Sequence, residues 1–220
     1  MGSGRLLKLG RRLALLYLLT GYVSWQLHEL GHWTAAKLLG ADIVLGFDRW
    51  YVSRSPASLA PVLASGPLLT LLLALLGLLL LSSRRPPFEM LGLSLSFFNP
   101  LLDLLSALTG VARSGVTLDL GSSELVWKLL LAPAFIAVLI LSLKVLKGRV
   151  ASSTLFGLLA LTLALSLSGT VIDRIAWQGF ESGNPMFSPI YGIMAPVLFA
   201  DGAAFAAFAL TLRRWALRHP

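Results

Sequence analysis

Residues 13–39 read LALLYLLTGYVSWQLHELGHWTAAKLL. The run is apolar for longer than the ~20 residues a helix needs to cross a bilayer. It nevertheless carries His28, Glu29 and His32. Ionisable side chains inside such a helix are costly and mark function by default. Their spacing is H-E-x-x-H. On a helix, positions i and i+4 share a face, so two imidazoles there can hold one metal ion. The Glu beside the first His then reaches the water that the ion activates. Arg5, Lys8, Arg11 and Arg12 precede the run, as in a signal peptide, but the apolar stretch continues past signal-peptide length and no clean small-x-small cleavage site follows. A retained first span is expected.

The rest of the chain extends this reading. Of 220 residues, 56% are hydrophobic and 13% charged, whereas a soluble domain carries about 25% charged residues. There are too few polar groups to cover a soluble surface and too much hydrophobicity for disorder. The absence of cysteine excludes a disulfide scaffold, a cysteine nucleophile and a thiolate zinc site. Further apolar runs lie at about 59–81, 88–108, 124–146, 152–175 and 190–212, each long enough to span. An all-α polytopic membrane protein of about six transmembrane helices is expected. Residues 1–220 would form a single membrane domain.

The net charge is +8, and it reads as topology rather than as nucleic-acid binding. Basic clusters precede the first run, then recur at Arg84-Arg85, at Lys144, Lys147 and Arg149, and at Arg213, Arg214 and Arg218. The alternate connections hold most of the acids: Asp42, Asp48, Asp119, Asp173 and Glu181. The positive-inside rule places both termini in the cytoplasm. Trp50, Tyr51, Trp127, Trp177 and Trp215 fall near span ends, as interfacial aromatics do. Lys37 and Lys128 lie close enough to span ends to snorkel. Two connections are more than turns. Residues 41–58 hold β-formers around Gly46-Phe47-Asp48 and predict a small hairpin or membrane-edge strand. Residues 177–189, rich in Gly, Ser, Asn and Pro, predict a loop.

A metal at His28 and His32 needs a third protein ligand. His219, the one remaining histidine, lies on the other side of the membrane by the charge rule. The extended pattern that adds Gly and His would need them where Ala35 and Leu38 stand. A carboxylate is therefore expected, and two intramembrane candidates compete, Asp103 and Asp201. Asp201, with Gly202, Ala203 and Ala206, also fits a small-residue packing face. Asn99 lies one turn before Asp103 on the same helix face, and Asn99-Pro100 also fits a helix break.

These motifs together resemble the site-2 protease family of intramembrane metalloproteases. His28-Glu29-Leu30-Gly31-His32 followed by Ala35-Ala36-Lys37-Leu38-Leu39-Gly40 is similar to that family's first core helix. Ala64-Ser65-Gly66-Pro67 is similar to the Gly-Pro signature of the second, and Asn99-Pro100 with Asp103 to the Asn/Pro/Asp motif of the third. The resemblance covers residues 13–108. It implies a three-helix metalloprotease core followed by three further helices (124–212), with Asp103 as the third zinc ligand and Asn99 orienting substrate or stabilising the oxyanion. The family has Asn where Thr70 stands and Gly where Leu104 stands; Thr70 offers a hydroxyl instead. The charge rule puts the metal motif in the outer half of the first span, whereas better-known members hold zinc nearer the cytoplasm.

The expected activity is Zn²⁺-dependent hydrolysis of peptide bonds in membrane-spanning or membrane-associated substrates. His28, His32 and Asp103 would hold the metal and Glu29 would act as general base. The β-prone stretch 43–52 would accept the unwound substrate as an added strand. The expected partners are the bilayer and a membrane-spanning protein or peptide, with no nucleic acid. Two rivals come from other classes. One is a membrane zinc enzyme acting on a lipid-linked ester or amide, or an inactive metal-binding scaffold. The other is a metal or proton transporter.

Overall fold

The chain alternates long helices with short strands, and a computed structural model describes residues 10–47, 50–54, 58–83, 86–114 and 124–216. Helix α1 (Arg11–Leu38) ends in a Schellman turn. Gly40 takes φ +71°, its N–H bonds Lys37 O at 3.1 Å, and Ala41 N–H reaches back to Ala36 O at 2.9 Å. Glycine adopts that left-handed conformation without a Cβ penalty. The turn feeds β1 (Asp42–Leu45) and β2 (Trp50–Arg54), an antiparallel pair in which Leu45 opposes Trp50. Then come α2 (Ala60–Ser82), α3 (Pro86–Ser114), α4 (Glu124–Leu146) and α5 (Ser152–Glu181). A 3₁₀ turn (Pro185–Phe187) leads to β3 (Pro189–Ile190), β4 (Ile193–Met194) and α6 (Ala195–Ala216).

Among the described residues, five stretches are long and apolar enough to cross a membrane: α2, α4, α5, Phe88–Leu108 of α3 and Ala195–Arg214 of α6. Six were expected. The sixth, α1, is long enough at 28 residues, but Gln26, His28, Glu29 and His32 interrupt its apolar run. Those four side chains are buried, because α2, α3, α5 and α6 all pack against α1. Polar groups that would be costly against lipid are thereby turned into protein.

Several boundaries differ from the sequence reading. Helix α3 continues past Gly110 to Ser114, and α5 runs through Trp177 to Glu181. The loop expected at 177–189 is thus mostly helix and 3₁₀ turn. Residues 190–194, expected inside the last span, belong to a second hairpin. It turns at Tyr191 (φ 54°) and Gly192 (φ 80°), the two positive φ values of a tight hairpin turn. A Cβ on Gly192 would lie 2.6 Å from Ile43 O, so the backbone there must be bare. Strand β4 pairs in parallel with β1, giving the sheet order β2-β1-β4-β3, and Leu45 N–H donates to Gly192 O at 2.8 Å. Strands of two residues are too short for alternation to be visible in a sequence.

The helices form an antiparallel bundle with the sheet at one end. At the opposite end lie Arg11, Lys144, Lys147, Arg149, Arg213 and Arg214, at or beside helix termini. Arg149 pairs there with Glu89. An apolar core fills this basic half, where Tyr17 meets Phe98 edge to face at 5.8 Å and bonds Thr162 Oγ1 at 2.6 Å. Helices α2 and α3 approach closely. A Cβ on Gly77 would lie 2.5 Å from Ser96 N, and one on Gly92 would lie 2.6 Å from Gly77 O. Small residues permit such contact between membrane helices.

Candidate metal centre

The half of α1 nearer the sheet presents His28 and His32 one turn apart on the same face. Their rings stand at 77° with centroids 4.9 Å apart, and their Nε2 atoms are 3.2 Å apart. Gly31, between them, faces α2, where a Cβ would lie 3.2 Å from Ser65 O. That approach brings the first turns of α2 over the imidazoles. A Cβ on Gly66 would fall 2.7 Å from His28 Nε2 and would collide with His32 Nε2. Glycine at 66 therefore leaves open the space that both nitrogens face.

Helix α2 also sets the tautomers. His32 Nδ1 lies 2.6 Å from Val62 O. A carbonyl only accepts, so Nδ1 carries a proton and, in the neutral ring, Nε2 is bare. His28 Nδ1 lies 2.7 Å from Thr70 Oγ1, whose own hydroxyl donates to Gly66 O at 3.1 Å. Thr70 thus accepts from Nδ1–H, and His28 Nε2 is bare as well. Fixing Nδ1 in this way is how proteins orient imidazole ligands. The indole of Trp50, from β2, lies against His32 with centroids 5.5 Å apart.

Glu124, the first residue of α4, completes the group. Its Oε1 is 3.1 Å from His28 Nε2 and its Oε2 is 3.6 Å from His32 Nε2. The three residues each offer a ligand atom within 4.8 Å of the others. Two nitrogens each ~2.05 Å from a tetrahedral zinc lie about 3.3 Å apart, close to the spacing found. Two imidazole nitrogens and a carboxylate turned toward one another in a buried site are a donor set that divalent ions take. The residues fit a divalent metal ion.

A cavity of about 240 Å³ opens beside this group, walled by Trp25, His28, Glu29, Asp103, Ser106 and Lys128, with α5 on its far side. Glu29 is buried there, next to His28 in the chain. Asp103 borders the same cavity, buried, with Oδ2 lacking a hydrogen-bond partner among the described residues. It stands outside the close group that Glu124 forms with the histidines. Lys128 does not snorkel, as its position near a span end had suggested. Its Nζ is 2.7 Å from Glu124 Oε1, 3.8 Å from Asp103 Oδ1, and donates to Ser106 Oγ at 2.9 Å. The ammonium group is thus held between two carboxylates and a hydroxyl, with the side chain 14% exposed.

The other sequence candidates lie apart. Asp201, on α6, accepts from Tyr22 Oη at 3.0 Å and bridges α6 to α1 away from the histidines. Asn99 is buried and donates to Leu95 O at 3.0 Å, back along its own helix. Thr70 serves as a support for His28. His219 and Asp48 lie outside the described residues. Sequence reasoning missed Glu124 because it opens an apolar span and reads as a helix-end acid. The signal was there in the i, i+4 pair Glu124/Lys128 at the head of an otherwise apolar run. No family model matches the chain, and no curated protein or solved structure matches it either.

Proposed function

We propose that this chain is an integral membrane zinc hydrolase that cuts peptide bonds in membrane-spanning or membrane-associated substrates, on a three-helix core like that of the site-2 proteases. One observation carries the reading: two oriented, unprotonated imidazole nitrogens and a carboxylate converge beside a buried Glu in a cavity. His28, His32 and Glu124 would hold the metal, with Asp103 facing the same cavity. Zinc bound there would polarise the scissile carbonyl and acidify a water. Glu29 takes the proton and returns it to the leaving amine. Lys128 pairs with Glu124 and Asp103 and offsets the excess of buried negative charge.

The sheet supports a peptide substrate. Strand β1 is interior, held between β2 and β4, so the part of the β-prone stretch that can accept a further strand is β2. Trp50 of β2 lies against His32. A peptide paired along β2 would therefore pass close to the metal centre. Its membrane helix must first unwind to free its backbone groups. In this reading α1 is the sixth span, the basic end faces the cytoplasm, and the centre lies in the outer half of the bundle.

The test uses the full chain in phosphatidylcholine vesicles with a membrane-spanning reporter peptide. The expected result is about one zinc per chain and hydrolysis that falls at least ~10³-fold in Glu29→Gln while zinc is retained. Zinc-loaded wild type that cleaves no peptide, or a Glu29→Gln variant as active as wild type, would overturn the proposal.

A further inference from the structure

Of the described residues that wall the metal-side cavity, Lys128 alone is a lysine or arginine. It comes from α4, one turn after Glu124. The side chain is not sealed off: it keeps 14% exposure, where Asp103 beside it keeps 3%. A single atom, Glu124 Oε1, stands between its ammonium group and the histidines. That oxygen is 2.7 Å from Lys128 Nζ and 3.1 Å from His28 Nε2. Glu29 walls the same cavity. The cation therefore shares one space with the metal-facing His28 and with the carboxylate expected to move the proton.

An ammonium group carries three N–H donors. Among the described residues two are used, one on Glu124 Oε1 and one on Ser106 Oγ at 2.9 Å. Asp103 Oδ1, at 3.8 Å, attracts the charge but is too far away to accept a hydrogen bond. One N–H is left over. The donor expected for an oxyanion does not reach this cavity: Asn99 is not among its walls, and its Nδ2 donates to Leu95 O. Hydroxyls of Ser106, Ser166 and Thr170 do line it. Thr170 Oγ1, however, donates to Ser166 O at 3.1 Å, and a neutral hydroxyl holds an anion about half as strongly as a charged donor.

Peptide hydrolysis needs such a donor. The oxygen of the attacking water bonds to the carbonyl carbon, its proton passes to Glu29, and the carbonyl π pair becomes a negative charge on oxygen. The C–N bond then breaks and the proton goes to the leaving nitrogen. That charge develops among Glu29, Asp103 and Glu124, whose carboxylates oppose it. A fixed cation stabilises the reaction most when it is aimed at the oxygen where charge develops. We infer that Lys128 is a catalytic residue whose remaining N–H binds the substrate carbonyl oxygen as it becomes an oxyanion, in place of the Asn99 that the resemblance puts in that role. The inference deepens the proposed peptidase reading and rests on it for the bond being cut.

The test uses the zinc-loaded full chain in phosphatidylcholine vesicles, with zinc content measured on every sample. Two ligands are compared. One is the membrane-spanning reporter peptide, whose carbonyls are planar and neutral. The other is a blocked phosphinic analogue of a Leu-Leu dipeptide, whose tetrahedral anion mimics the charged oxygen. Lys128→Met should weaken phosphinate binding about 10²-fold or more. It should lower kcat for the reporter by a similar factor, with KM changed less than about twofold. The double variant Lys128→Met, Asp103→Asn removes one charge of each sign and should show the same losses. It keeps the test decisive if Lys128→Met alone sheds zinc. A role confined to charge balance predicts that the zinc-loaded double variant binds the phosphinate as wild type does, and that result would overturn the inference. Hydrolysis separates the two readings. Lys128-dependent phosphinate binding without cleavage of the reporter keeps the oxyanion site and removes the peptidase, whereas cleavage at the wild-type kcat by a zinc-loaded Lys128→Met chain does the reverse.

Discussion

The two halves of α1 are built on opposite principles. Towards Arg11, Leu13 and Tyr17 bury apolar surface against α3 and α5, and the Tyr17 hydroxyl is paired with Thr162. Towards Leu38, Gln26, His28, Glu29 and His32 are equally buried, but there Gln26 donates to Phe47 O, and His28 and His32 face Glu124 and each other. The first half is held by packing and tolerates any change that keeps its volume. The second is held by charge and orientation, so single atoms matter there. Helix α1 joins them: the apolar half anchors the helix in the bundle so that the polar half can be held in an arrangement it would not adopt alone.

Substitutions should separate the halves by readout. His32→Ala has the largest expected effect on the polar half: zinc per chain drops from about one to below about a tenth, since a two-ligand remnant does not retain the ion through washing. Phe98→Ala at the other end should cost about 3–5 kcal/mol of stability through the lost edge contact and the cavity it leaves, with zinc content unchanged below the unfolding transition. Zinc loss in Phe98→Ala at temperatures where the chain stays folded would break the comparison.

Smaller changes sharpen it. Gly66→Ala places a methyl against both imidazoles and should deplete zinc, with a stability loss of no more than about 1–3 kcal/mol from the crowding. Thr70→Val removes the acceptor for His28 Nδ1 and should weaken zinc binding about 10–100-fold, read by competition with a chelator. Tyr17→Phe should cost only about 1 kcal/mol, because Thr162 keeps its bond to Leu158 O at 3.0 Å. Chemical denaturation of the detergent-solubilised chain measures it. A zinc affinity that moved with Tyr17→Phe would show that the halves are not separate.

What the sequence made legible follows the range of each interaction. Five of the six expected spans were readable because hydrophobic length is a local property. His28 and His32 were readable because i, i+4 spacing fixes a shared face. Glu124 was not, since it comes to the histidines only through packing of α4 against α2 and α3. Lys128 was misread for the same reason: proximity to a span end suggests snorkelling until buried partners such as Glu124 and Ser106 are known. Asp201 stood out by rarity alone, and its Tyr22 contact gives it a bridging place between α1 and α6. The hairpin at 189–194 was hidden by an apolar stretch that also suits the start of a helix.

The most direct test of the central claim, that His28, His32 and Glu124 form the metal site, is zinc stoichiometry in washed, detergent-purified Glu124→Gln and Asp103→Asn. The account predicts about one zinc per chain in wild type, loss in Glu124→Gln and retention in Asp103→Asn. Retention in Glu124→Gln with loss in Asp103→Asn would contradict it and give the third ligand position to α3.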